Sequence, residues 1–160
     1  MMQFSPTDPK LIQCFQADVD VTGALLSQPG PTGQRNVYPI VGGRFTGTIA
    51  PETDSPRSFA GDILPGGFDL QRVRSDELKE LEAIYHLRTD DGVFLEVRNR
   101  ALVIYGPDGR QHYSRSRIHF EAPTGGPYSW LNERVIVGTT EVGDWQDNRV
   151  VVRVRGFAVV

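Results

Sequence analysis

The 160-residue sequence predicts an all-β fold, and three observations carry that expectation. Seventeen valines, set among 17 glycines and 11 prolines, favour short strands joined by tight turns over helices. Alternation of apolar and polar residues, the period of a half-buried strand, recurs from residue 11 to residue 159. No long linker, repeat or low-complexity tract interrupts it, so residues 1–160 read as one domain with a flexible N-terminus over 1–9. About nine or ten strands at this density close into a barrel or pack as a sandwich, because open edges invite aggregation.

Each element follows from its local pattern. In residues 11–21, Leu11, Phe15, Ala17, Val19 and Val21 share one face against Gln16, Asp18 and Asp20, which predicts the first strand. Residues 26–36, rich in Gly, Pro, Ser and Gln, read as a loop, followed by two short strands, 37–41 and 44–49, around Gly42-Gly43. Nothing apolar stands in 51–57, an exposed loop, and strands 59–64 and 68–73 flank the bend at Pro65-Gly66-Gly67. Residues 75–87 fit two periods. Leu78, Leu81, Ile84 and Tyr85 fall at helical spacing, whereas Leu81, Ala83, Tyr85 and Leu87 alternate with Glu80, Glu82 and His86; local propensity favours the helix. Strands 93–98 and 101–105 follow, with turns at Asp91-Gly92 and Asp108-Gly109, then a polar strand at 113–121. Residues 128–132 suit one helical turn, and 134–142 and 149–159 two β-branched strands.

Composition bounds the function. A formal charge of −3 supplies no basic field for phosphate-driven nucleic-acid binding. No apolar run approaches a membrane span and no signal-peptide order opens the chain, so the expected location is cytoplasmic. Cys14 stands alone without activating neighbours and reads as a packing residue. His86, His112 and His119 lack the close pairing of a metal site, the glycine pairs are not phosphate loops, and no serine sits in a nucleophile elbow. No metal and no cofactor is expected. What remains is a set of polar residues beside glycine-bent strands: Arg35, Asp69, Trp130 and Asn132. An inward Asp69 between Phe68 and Leu70 needs a partner, and Arg35 is the candidate to hold it ionised. The bland alternatives are a turn-capping Asp69, a solvated Arg35, and Trp130 and Tyr128 as packing.

The order Gly33-Gln-Arg35-Asn-Val-Tyr38-Pro39-Ile40-Val41-Gly42-Gly43-Arg44-Phe45-Thr46-Gly47, then Gly61-Asp62-Ile63-Leu64-Pro65-Gly66-Gly67-Phe68-Asp69, then Tyr85 with Thr89-Asp90-Asp91-Gly92, then Trp130-Leu131-Asn132, resembles the domain-of-unknown-function family 3237, also called uncharacterised protein family 0311. The likeness spans residues 11–159; a departure is Leu70, where members often carry an aromatic. It implies a small antiparallel β-barrel, similar to allene oxide cyclase-like and lipocalin-like barrels and often oligomeric, with at most one or two short helices. It also implies a strand rather than a helix over 79–89, tertiary context overriding propensity.

Related barrel cyclases steer ring closure of a flexible apolar substrate without a cofactor, a likeness of fold. The expected function is therefore a cofactor-independent isomerase, cyclase or lyase acting on a partly hydrophobic carbonyl or aromatic metabolite in the barrel. Asp69 would be the general acid or base, Arg35 and Asn132 would hold a developing oxyanion, Tyr85 would donate a proton or pack, and Trp130 and Tyr38 would bind substrate. The alternative is a carrier using the same cavity, whose walls would be mostly apolar, and a structural subunit would show a filled barrel. The last strand is apolar on both faces, which predicts that its outer face packs in a symmetric homodimer.

Overall fold

The computed structural model describes residues 7–160, so most of the expected flexible N-terminus, residues 1–6, lies outside the described residues. Ten strands follow one another: β1 (Leu11–Thr22), β2 (Leu26–Gly30), β3 (Gly33–Ile49), β4 (Arg57–Ile63), β5 (Gly67–Val73), β6 (Lys79–Thr89), β7 (Phe94–Tyr105), β8 (Gln111–Glu121), β9 (Ile136–Val142) and β10 (Arg149–Val159). The described residues hold no α-helix, only a 3₁₀ turn at Ser129–Glu133. Every pairing is antiparallel.

The sheet closes on itself because β1 pairs β10 on one side and β3 on the other. β4 and β5 lie end to end between β3 and β6, forming one stave broken at Leu64, Pro65 and Gly66. The result is a barrel of eight staves, with β2 outside it as the hairpin partner of the start of β3. Strand twist alone would not carry β3 from β5 to β4. The bend falls at Gly42 and Gly43, and at Gly43, with φ of 133°, a Cβ would stand 2.1 Å from the Asp18 carbonyl oxygen.

Several sequence expectations change here. Residues 26–36 are not a loop but a hairpin turning at Pro31-Thr32, because β3 lends them a pairing edge that their composition does not announce. The pairs 37–41 with 44–49, and 93–98 with 101–105, are each one continuous strand. Lys79–Thr89 is a strand, its backbone bonded to β5 and β4 on one side and to β7 on the other, which outweighs its helical propensity.

The interior is filled unevenly. Near the Ile49 end of β3, Phe15 packs edge-on against Phe120 at 5.0 Å and tilted against Phe45 at 5.9 Å, and Phe59 bridges Phe45 to Tyr128. A bulge in β1 turns both Cys14 and Phe15 inward there. Toward the other end the inward positions carry smaller or polar groups, among them Ala83, Ala101, Asn99 and Thr140. The barrel is packed at one end and hollow at the other.

Candidate functional site

Strand pleating decides which side chains enter the hollow end. In β5, Gly67, Asp69 and Gln71 alternate inward while Phe68, Leu70 and Arg72 face out; Asp69 stands opposite Tyr38 of β3 and Ala83 of β6. In β6 the inward set is Lys79, Leu81, Ala83, Tyr85 and Leu87, and in β7 it includes Val97, Asn99, Ala101 and Val103. These strands meet around two adjoining chambers. The inner one, about 30 Å³, is lined by Asp69, Tyr85, Asn99 and Thr140 amid aliphatic side chains. The outer one, about 40 Å³, is lined by Tyr38, Gln71, Lys79, Tyr105 and Trp145. Asp69, Val21, Leu81 and Val152 belong to both, so the Asp69 carboxyl stands at their junction.

Four polar atoms of the residues lining the inner chamber have no hydrogen-bond partner. Asp69 Oδ2 accepts from Gln71 Nε2 at 3.1 Å, but Oδ1 is buried and unbonded. The Tyr85 hydroxyl, Asn99 Oδ1 and Thr140 Oγ1 are in the same condition. Each such atom costs about 1–3 kcal/mol of desolvation. Burial holds the Asp69 carboxyl above the ordinary carboxylate range, the Gln71 hydrogen bond opposing it in part. Burial also pushes the Tyr85 phenol up and keeps it protonated as a donor. The Tyr38 phenol is raised by burial and then by the negative charge of Asp69. Tyr105 is raised by burial and, less, by Tyr38 and Asp69.

The outer chamber is aromatic. Trp145, on the connection between β9 and β10, leans on Tyr38 with ring centres 6.2 Å apart and is half exposed. Lys79 Nζ lies 4.4 Å from the centre of the Tyr105 ring.

Of the residues expected to share one cavity, Asp69 lines both chambers and Tyr85 the inner one, with Tyr38 on the outer one, whereas Arg35, Trp130 and Asn132 lie elsewhere. Arg35 lies three residues from Tyr38, an odd step that puts it on the outer face of β3 opposite Arg72. It borders an exterior groove with Arg100 and Arg117 and cannot hold Asp69 ionised. Trp130 and Asn132 sit at the packed end. Trp130 Nε1 donates to Glu52 Oε1 at 3.1 Å. Asn132 accepts from the Ala122 N–H at 2.8 Å and donates to the Ala122 carbonyl at 3.0 Å, which ties the 3₁₀ turn to the end of β8. Asn99 and Lys79, missed in the sequence, were legible from parity, since each shares the inward alternation of its strand; Trp145, on a connection, gave no such signal. Cys14 is buried at the packed end with its thiol pushed up to about 11 by burial, a packing residue. Among the described residues no three His, Cys, Asp or Glu side chains converge as metal ligands.

Known proteins share this architecture. A UPF0311 protein of Rhodopseudomonas palustris (strain TIE-1) is 36% identical over 122 residues, covering 68% of this chain and 72% of that protein. The crystal structure of a protein with unknown function from Clostridium acetobutylicum is 25% identical, with a TM-score of 0.75 over 96% of this chain and 100% of that one. Two further structures share the fold: a beta-barrel like protein from Acinetobacter baumannii, 23% identical with a TM-score of 0.73 over 99% of this chain and 100% of that one, and an enzyme from Penicillium herquei, 18% identical with a TM-score of 0.67 over the same shares. The pattern of the family described as "protein of unknown function (DUF3237)" matches residues 9–156, nearly the whole barrel, and the chain belongs to that family.

Proposed function

We propose that the protein is a cofactor-independent acid/base enzyme, an isomerase, cyclase or lyase, acting on a partly apolar carbonyl or aromatic compound in the hollow end of the barrel. The observation that carries this reading is the buried Asp69 carboxyl, with Oδ1 unbonded, in the wall of a chamber that Tyr85 also lines. A carrier would need mostly apolar walls, and the surface of this chamber is mostly apolar; what favours the acid/base reading is the carboxyl buried in that surround, where such a group acts most strongly on developing charge. In the ionised state Asp69 takes a proton from carbon next to the substrate carbonyl and returns it elsewhere on the skeleton. The oxyanion role expected of Arg35 and Asn132 passes to the Tyr85 hydroxyl and the Asn99 amide. Chambers of about 30 and 40 Å³ are far below the roughly 300 Å³ of ordinary ligand pockets, so substrate must displace Trp145 from Tyr38 on the way in.

Deuterium uptake tests the reading. Small aryl and cyclic ketones in D₂O with the protein should exchange their α-protons above background by ¹H NMR, and Asp69→Asn should abolish exchange while binding persists. Binding without exchange in the unaltered protein would favour the carrier, and neither binding nor exchange would overturn both. The same reading includes a homodimer through the outer face of β10, where Val151 is exposed beside half-buried Phe157 and Val159, and a cytoplasmic location. A monomer in light scattering at micromolar concentration would count against the dimer. No helix of the described residues is long and apolar enough to cross a membrane.

A further inference from the structure

We propose that the outer chamber selects a planar aromatic acid, with the Lys79 ammonium binding its carboxylate while its far end reaches Asp69 and Tyr85. This rests on the hollow end being the substrate site and adds the substrate's chemical class. Lys79 is the cation that lines the chamber, and it makes no ion pair with any described carboxylate. Its position is set by pleating, since as the first residue of β6 it shares the inward parity of Leu81, Ala83 and Tyr85. The ammonium lies over the Tyr105 ring at 4.4 Å, and both residues line the chamber. Tyr38, Tyr105 and Trp145 supply flat faces against which a planar ring stacks with little conformational loss, whereas a flexible aliphatic chain would leave them poorly covered.

Strand geometry gives the spacing. Asp69 stands opposite Ala83, four residues along β6 from Lys79, which at about 3.3 Å per residue separates the two levels by about 13 Å. A para-substituted benzene ring with a hydrogen-bond partner at each end spans a comparable length, its acid at the Lys79 level and its carbonyl at the Asp69 level. A neutral ligand of the same shape would keep the stacking but leave the ammonium without its counter-charge.

The experiment compares 4-acetylbenzoate with 4-acetylbenzamide, which share shape and an exchangeable acetyl group and differ in charge. In a Trp130→Phe background Trp145 is the remaining tryptophan, so its fluorescence reports the outer chamber directly. The acid should bind at least about tenfold more tightly than the amide. Lys79→Met should bring the acid to the level of the amide without weakening the amide, Lys79→Gln should do the same, and Lys79→Arg should keep the preference. Equal binding of the two ligands, or a preference that survives Lys79→Met, overturns this inference. If the amide exchanges its acetyl protons as fast as the acid, the inference falls and the acid/base reading stands; if neither ligand binds or exchanges, both fall.

Discussion

Replacing Tyr85 with Phe removes one oxygen from the largest fully buried side chain of the barrel, and the protein should become more stable for it. Tyr85 is 1% exposed, its ring is packed between strands, and its hydroxyl has no partner among the described residues. Phe fills the same ring volume, so no cavity opens. The gain is then the desolvation penalty of an unpaired hydroxyl, about 1–3 kcal/mol. For a chain of this length each kcal/mol moves the melting temperature by about 2–4 °C, which gives a rise of about 2–12 °C. Thermal unfolding followed by circular dichroism at fixed pH measures it, with Tyr128→Phe as the counter-case. The Tyr128 hydroxyl donates to Asp91 Oδ1 at 2.7 Å, so its loss should lower the melting temperature. Tyr85→Phe should at the same time cost about a hundredfold in proton exchange, as removal of an oxyanion donor does. An unchanged or lower melting temperature for Tyr85→Phe would show that the hydroxyl is satisfied in the folded protein, and the account of the chamber as a store of unpaired polarity would fail.

Other outcomes follow from the same geometry. The native Asp69 carboxyl holds its proton to higher pH than the unfolded chain does, so its contribution is fully present below the unfolded value of 3.8 and is lost as pH rises through the native value. Between about pH 4 and about pH 8 the unaltered protein should therefore lose more stability than Asp69→Asn, and parallel curves would contradict the burial of the charge. Asn132→Ala should leave proton exchange intact but lower stability by about 1–3 kcal/mol in urea unfolding, because the Ala122 N–H and carbonyl lose their partners. Gly43→Ala meets both a left-handed backbone and the Asp18 carbonyl, and should cost about 2–3 kcal/mol or more by the same measurement. Phe15→Ala should cost about 3–5 kcal/mol through the cavity left between Phe45 and Phe120.

Much of the fold was legible because alternation is local. Arg149–Val159 begins and ends where alternation places it, whereas the strand at Lys79–Thr89 follows from the family resemblance, its local pattern fitting a helix as well. What was not legible depends on partners far along the chain. Residues 26–36 carry turn composition and become strand only because the start of β3 folds back on them. Arg35 and Asp69 read as a pair because opposite charges attract on paper, yet the odd step between Arg35 and Tyr38 had already placed them on opposite faces of the wall. Asn132 lies in a motif with Trp130, and nothing in the motif tells the packed end from the hollow one. That distinction comes from where the phenylalanines of four separate strands and the aromatic ring of Tyr128 converge.

Closure by the first and last strands imposes an order of events on synthesis. Leu11 pairs with Val159, and the backbones of Lys10 and Val160 bond each other in both directions at 2.8 and 2.9 Å. As the chain leaves the ribosome, β1 can find β3 early but must wait for the whole remaining sequence before β10 covers its second edge. Until then the nascent sheet presents two open edges, β1 and the growing one, and a loop of nearly the full chain length must close before the final pairing is gained. Folding should be slow for a domain of this size, and aggregation should compete most at the last step. Joining the two ends covalently and reopening the chain in the exposed stretch 53–56 would turn that late, distant pairing into a hairpin, and the permuted barrel should close faster than the natural one.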